Sequence, residues 1–253
     1  MKTQSIALIT GGNRGLGRAA ALALADAGTD VVITYRSNHE EADAVVAEIT
    51  ARGRRAVALK LDTTQYDTFP AFATELATAL TEIWDRDSFD FLVNNAGVAA
   101  WTTVGQTTIN DFDTMVGVHF KGVVFLTQEL LPQLADGGRI LNVSTGLNRF
   151  VGTGFSIYAS VKAAIDTYTR YLAKELGERG ITVNSIAPGP IATDFGDGIV
   201  RDNENINTFW ASQTALGRVG LPDDIGGAIA TLLAPGASWI TGQRIEASGG
   251  TLL

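Results

Sequence analysis

Tyr158 and Lys162 stand four residues apart in "YASVK", residues 158 to 162 of a chain that has five tyrosines. On a helix that spacing puts both side chains on one face, within reach of each other. A phenol titrates near pH ~10 and is a poor acid or base at neutrality unless its surroundings tune it. A neighbouring ammonium favours the phenolate and lowers that value. Taken alone, the pair also suits a surface Tyr lying along a Lys stem. Ser144 adds a third group, because it closes the apolar run "GRILNVS" and so puts a hydroxyl at the end of a strand. A hydroxyl, a phenol and an ammonium gathered at one place would bind an oxygen and move a proton to or from it.

A second cluster suits an anion. "TGGNRGLG", residues 10 to 17, follows the first apolar run and opens an alanine-rich helical segment. Gly11, Gly15 and Gly17, with Asn13, Arg14 and Leu16 between them, allow a tight turn, close approach of backbone to a pyrophosphate, and a helix N-terminus facing the charge. Their Gly-x-x-x-Gly-x-Gly spacing is also compatible with turn chemistry alone. The second apolar run ends in "TYRSN", with Tyr35, Arg36 and Ser37 and no carboxylate to bind free ribose hydroxyls. Arg36 and Arg14 can reach a 2′-phosphate there, so NADP(H) is expected in preference to NAD(H), unless both are ordinary surface charges. Asp62, followed by Thr63 at the end of the third run, is an adenine contact or a turn residue.

These groups need a scaffold that brings strand ends together. Seven short apolar runs ("SIALIT", "DVVITY", "RAVALKLD", "FDFLVNNAG", "GRILNVST", "ITVNSIAPG", "QRIEAS") alternate with longer segments of helical periodicity, most of them closed by glycine. That alternation predicts an α/β fold: a doubly wound, Rossmann-type, seven-stranded parallel sheet with helices on both faces, in a single domain over residues 1–253. Residues 109 to 138 read as one long helix, and 188 to 220 as an irregular stretch and candidate lid over the substrate. A net charge of −8 and a pI near 4.8 argue against nucleic acid as a partner. Without cysteine there is no disulfide, thiolate nucleophile or cysteine-ligated metal, and no metal site is expected. No apolar stretch is long enough to cross a membrane, and a cytoplasmic protein is expected.

In order and spacing, "TGGNRGLG", "LVNNAG" at 92 to 97, Ser144 in "NVST", "YASVK", "APGPIAT" at 187 to 193 and "SGG" at 248 to 250 resemble the compact, single-domain short-chain dehydrogenase/reductases. The resemblance covers nearly the whole chain. It implies that Tyr158 protonates a carbonyl oxygen during reduction and deprotonates an alcohol during oxidation. By the same resemblance Lys162 tunes the phenol and binds the nicotinamide ribose, and Ser144 polarises the substrate oxygen. It further implies cofactor contacts at Asn94, Ala96 and Gly97, and at Pro188, Gly189, Ile191 and Thr193 near the nicotinamide carboxamide and pyrophosphate. Asn94 is equally a strand-end hydrogen-bonder, and the prolines equally a rigid turn. The chain departs from the family at "GVHFKG", where His119 stands in place of an expected asparagine. His119 either joins the proton relay, where it can titrate near neutrality, or is packed inside a helix.

The substrate is expected to be a small carbonyl or alcohol, met by Trp101, Phe150, Phe155, Phe195 and Trp210 in loops at the same sheet edge. One family branch reduces 3-oxoacyl chains on an acidic acyl carrier protein, and "LLPQLADGG" lacks basic docking residues for it, although Lys174 and Arg179 lie elsewhere on the rim. A non-catalytic dinucleotide-binding sensor is a further reading. Small and apolar residues on the fourth and fifth long helices, which pair across a two-fold axis in the family, imply a homo-oligomer, a dimer or a tetramer.

Overall fold

A computed structural model of the chain describes residues 4–253. Its strands are β1 (Ile6–Ile9), β2 (Asp30–Tyr35), β3 (Ala56–Lys60), β4 (Phe89–Asn94), β5 (Leu134–Val143), β6 (Thr182–Pro188) and β7 (Arg244–Ala247). They form one sheet in the order β3-β2-β1-β4-β5-β6-β7, with every pairing parallel. Side chains alternate across a strand, so an inner strand apolar at every position must be covered on both faces. In β1, Ile6 and Leu8 enter a core with Phe69, Leu76, Leu80 and Phe89, whereas Ala7 and Ile9 enter one with Leu24, Val45, Ile49 and Ile229. The sheet is the partition between these two cores.

The covering helices are α1 (Gly15–Asp26), α2 (His39–Ala51), α3 (Phe69–Trp84), α4 (Ile109–Val116), α5 (Gly122–Leu130), α6 (Ser156–Glu175), α7 (Ile199–Asp202), α8 (Glu204–Ser212) and α9 (Pro222–Leu233). The strand order reverses about β1, which lies between β2 and β4. In such sheets this reversal opens a crevice beyond the carboxyl ends of the strands. The glycine loop leaves β1 into that crevice.

Two expectations are revised. The long helix over 109 to 138 is broken: after α4, which starts at a Thr108–Asp111 capping box, the backbone widens into a π turn at Gly117–Lys121 before α5. Pro132 then ends the helical run, and β5 begins already at Leu134. The stretch from 188 to 220 is more ordered than its sequence implies, because it holds α7 and α8, the latter capped by the Asn203 side chain on Ile206 N. Among the described residues no helix is long and apolar enough to cross a membrane.

Candidate active site

The glycine loop is pinned from beneath. Thr10 N donates to Val93 O on β4 (3.0 Å), and the Asn95 side chain donates to Thr10 O (2.8 Å) and Gly11 O (3.1 Å). A Cβ on Gly17 would lie 2.2 Å from Gly11 O and 2.5 Å from Asn95 Nδ2, so only glycine lets α1 start this close to the loop. Asn95 is a structural part of the site that sequence reading missed. It stands in the quoted "LVNNAG", but only the fold shows that its amide faces back to β1. Asn13, between the glycines, donates to Glu41 of α2 at 2.8 Å, and Leu16 packs on the adjoining core.

At the end of β2, Tyr35 stacks on His39 with ring centroids 5.3 Å apart, and Arg36 and Ser37 are exposed. Arg14 is exposed as well. Among the described residues the other arginines each bond a carboxylate, a carbonyl or a hydroxyl, while the Arg14 and Arg36 guanidinium groups have no such partner. Two uncommitted cations thus flank one end of the crevice. Asp62 accepts from Thr64 N (2.9 Å) and Thr64 Oγ1 (2.7 Å), which gives it a turn role, and Thr63, Asn94 and Ala96 line one small cavity beside Thr10. The Asn94 amide is turned inward onto Thr127 (3.1 Å) and Asn142 (2.8 Å), as a strand-end hydrogen-bonder would be.

The other end holds the proposed chemistry. Lys162, on α6's buried face, donates from Nζ to Val143 O at 2.6 Å, and Tyr158 lies one turn earlier with its phenol beside the Thr145 side chain. Val143 and Thr145 flank Ser144 in sequence, so α6 lays its phenol and ammonium over the end of β5, while the buried Ser144 hydroxyl accepts from the Asn148 amide at 3.2 Å. Pro188 ends β6 next door, with Gly189 held to Ala247 O (3.3 Å), Ile191 bridged to Gly220, and Thr193 buried. Phe195 and Phe155 approach the Tyr158 ring at 5.8 and 6.4 Å. Trp101 is anchored by its Nε1 to Thr153 O at 3.0 Å. Phe150 instead packs on Trp210 at 6.0 Å.

Electrostatics here depart from the sequence-based expectation. Tyr158 is raised well above an ordinary phenol, because burial penalises the phenolate more than the Thr145 hydrogen bond favours it. Lys162 is pulled down to about 8 by burial, partly countered by Asp166 one turn further along the helix. The phenol is therefore an acid that keeps its proton at neutral pH, beside an ammonium that is poised to lose its own.

His119 sits in the π turn, buried, edge-on to Tyr158 with centroids 5.3 Å apart. Its Nε2 lies 2.8 Å from Val98 O, which requires Nε2–H to donate and leaves Nδ1 a buried lone pair with no partner among the described residues. Burial first, and then the Lys162 charge, lower its pKa to about 3. It does not titrate near neutrality. In the unfolded chain the imidazole titrates near 6.5; stability from His119 is thus present above that value and lost as pH falls toward 3. Between pH 7 and 5 this amounts to roughly 2 kcal/mol. Urea unfolding should therefore show a smaller acid loss for His119→Asn than for wild type, and equal losses would contradict the neutral, buried imidazole.

The profile of a family described as enoyl-(acyl carrier protein) reductase matches residues 11–251. The chain is 36% identical over 256 aligned positions to a 3-oxoacyl-[acyl-carrier-protein] reductase of Synechocystis, covering 99% of this chain and 98% of that protein. Among solved structures it is similar to the promiscuous reductase LugOII, which catalyses keto-reduction at C1 during lugdunomycin biosynthesis (TM-score 0.93, 35% identity, all of both chains). It is also similar to the angucycline C-6 ketoreductase LanV with bound NADP (TM-score 0.92, 36% identity, 98% of this chain and 95% of that one).

Proposed function

Because the chain belongs to the short-chain dehydrogenase/reductase family of oxidoreductases, we propose that it is an NADP(H)-dependent reductase of ketones or aldehydes. The observation that carries this reading is the packing of α6 over the end of β5, which brings a protonated phenol beside the Thr145 side chain and an ammonium onto Val143 O, the two residues that flank Ser144. NADPH supplies hydride to the carbonyl carbon when bound. Ser144 holds the carbonyl oxygen, Tyr158 gives it a proton, and Lys162 steadies the charge that develops as the phenol lets that proton go. A phenol held neutral by burial suits reduction better than oxidation, which would start from phenolate. Neutral His119 supports the ring of Tyr158 by contact rather than by exchanging protons.

The remaining cofactor assignments follow the crevice. The glycine loop takes the pyrophosphate at the N-terminus of α1, Asp62 and Thr63 border the adenine, and Ala96, Gly97 and the Pro188–Thr193 segment border the nicotinamide half. Arg14 and Arg36, without partners of their own among the described residues, support a 2′-phosphate between them. Losing a charge-assisted hydrogen bond costs about 1.5–3 kcal/mol, so Arg14→Ala with Arg36→Ala should weaken NADPH at least about 10-fold. NADH should be nearly unaffected. Titration of both cofactors by fluorescence measures the ratio, and parallel losses for the two would contradict the phosphate assignment.

Phe155 and Phe195 against the Tyr158 ring favour an apolar carbonyl substrate, which the segment over 188 to 220 would cover. By their descriptions LugOII carries out keto-reduction at C1 during lugdunomycin biosynthesis and LanV is an angucycline C-6 ketoreductase, which agrees with a ketone substrate. The carrier-protein reading draws on the Synechocystis relative. Against it, Arg179 is committed to Asp136 at 2.7 Å and to the carbonyls of Leu131 and Leu134, not presented to an acidic partner. Exposed Ile109, Phe112, Phe125 and Tyr171 on α4 to α6 support a dimer or tetramer formed through those helices.

A further inference from the structure

We propose that Arg149 is a positioning residue for the substrate pocket: its guanidinium ties the loop over 145 to 155, which carries Thr145 and Phe155 against Tyr158, to the segment over 248 to 253, and that segment in turn holds the end of α8. This rests on the reductase reading of the Tyr158 site.

The loop leaves β5 at Thr145, whose side chain lies beside the phenol, and reaches α6 at Phe155, whose ring lies 6.4 Å from that of Tyr158. Two side chains in its middle reach other parts of the chain. Phe150 packs on Trp210 of α8 at 6.0 Å. Arg149 grips Glu246 of β7 with two bonds, from Nε at 2.9 Å and from Nη2 at 2.6 Å. It donates further from Nη1 to Leu252 O at 2.9 Å and from Nη2 to Thr251 O.

Isolated ion pairs at a surface contribute little, because water screens them and two side chains lose freedom. Arg149 differs in that a planar guanidinium matches a carboxylate along two parallel bonds while the same group satisfies two carbonyls, so all four bonds depend on one fixed geometry. Glu246 is mostly buried and also accepts from Ser248 Oγ (2.7 Å) and Arg244 Nη1 (3.2 Å). Arg149, ahead of those two, holds the Glu246 carboxyl down to about 2, so the pair stays ionised near neutral pH. Arg244 also donates to Thr145 O at 2.9 Å, which fastens the start of the loop to the same carboxylate.

The segment over 248 to 253 passes the restraint on. Thr251 is fully buried, with its hydroxyl 3.0 Å from Thr214 Oγ1. Ala215 N and Leu216 N donate to Gly250 O and Gly249 O, both at 3.1 Å, and Leu252 N donates to Gln213 O at 2.9 Å. Residues 213 to 216 follow directly on α8, so Arg149 couples that helix to the loop whose Phe150 it meets. A pocket whose walls drift apart binds substrate less well, while proton transfer from Tyr158 proceeds as before once substrate is bound. The loss therefore belongs in KM.

The test compares wild type with Arg149→Met, Arg149→Lys and Glu246→Gln, reading kcat, KM for an apolar ketone, NADPH affinity and amide hydrogen exchange. Arg149→Met is expected to raise KM about 5- to 10-fold, with kcat and NADPH affinity close to wild type, as loss of uniform binding does. Arg149→Lys should recover little, because an ammonium cannot span a carboxylate and two carbonyls. Arg149→Met together with Glu246→Gln should cost less than the sum of the two, since both break the same contact. Exchange should quicken over 145 to 155 and over 213 to 216 together in the methionine variant. An unchanged KM would assign Arg149 a merely structural role and overturn the proposal, as would quicker exchange confined to the loop or full rescue by lysine. Should the methionine variant lose thermal stability, Arg149→Gln carries the same comparison. Wild-type protein that binds NADPH and reduces no ketone would overturn the reductase reading instead, and the exchange comparison would still decide whether Arg149 couples the loop to α8.

Discussion

Tyr158→Phe is expected to lower kcat for carbonyl reduction by roughly 10²- to 10⁴-fold, the range that a positioned general acid supplies. The substitution removes one oxygen and keeps the ring, so the contacts with Phe155, Phe195 and His119 survive. Folding and NADPH affinity should therefore stay close to wild type. The loss should fall on kcat and not on KM for cofactor, since the proton is needed only as charge develops on the substrate oxygen. Steady-state kinetics with a fluorescence titration of NADPH separates the two. Retained turnover would remove Tyr158 from the chemistry altogether.

Lys162 gives the second large effect, and it has a pH signature. In the proposed reaction its protonated form is the active one, because a cation is what stabilises a phenol giving up its proton. Burial holds its pKa down at about 8, with Asp166 opposing the shift. Reduction should thus be fully supported below that value and should decline as pH rises through about 8, well before an ordinary lysine would titrate. Lys162→Met should lower kcat/KM by about 10²- to 10³-fold, comparable to losing one preorganised electrostatic contact in a closed site. It should also abolish the decline near pH 8. An unchanged alkaline limb in the methionine variant would assign that limb to another group.

Much of this was legible in the residues themselves. A parallel sheet buried on both faces leaves continuous apolar strands, and glycines after the first of them mark where a backbone must turn and come close. The Tyr158–Lys162 spacing was readable for the same reason, since helix geometry is local. What the chain does not display locally is burial. Lys162 as a neighbour suggested a depressed phenol, yet the depth of Tyr158 decides the sign and raises it. The sequence leaves His119 either in the relay or packed inside the helix, and the π turn at Gly117–Lys121, which carries it under Val98 into a buried site, favours the second. A π insertion has no period to read in six residues. Asn148 and Asp166 stand 18 residues apart, and only the crossing of α6 over β5 brings them to Ser144.

Hydride transfer from NADPH to a carbonyl carbon at this site, as proposed, can be followed by isotopic labelling. Purified protein would be incubated with NADPH bearing deuterium on one or the other face of C4, together with an apolar ketone that it consumes. The product alcohol is predicted to carry one deuterium on its carbinol carbon from one labelled face only, with Tyr158→Phe giving essentially none. An alcohol formed without the label, or NADPH bound with no ketone in an apolar panel ever reduced, would contradict the account.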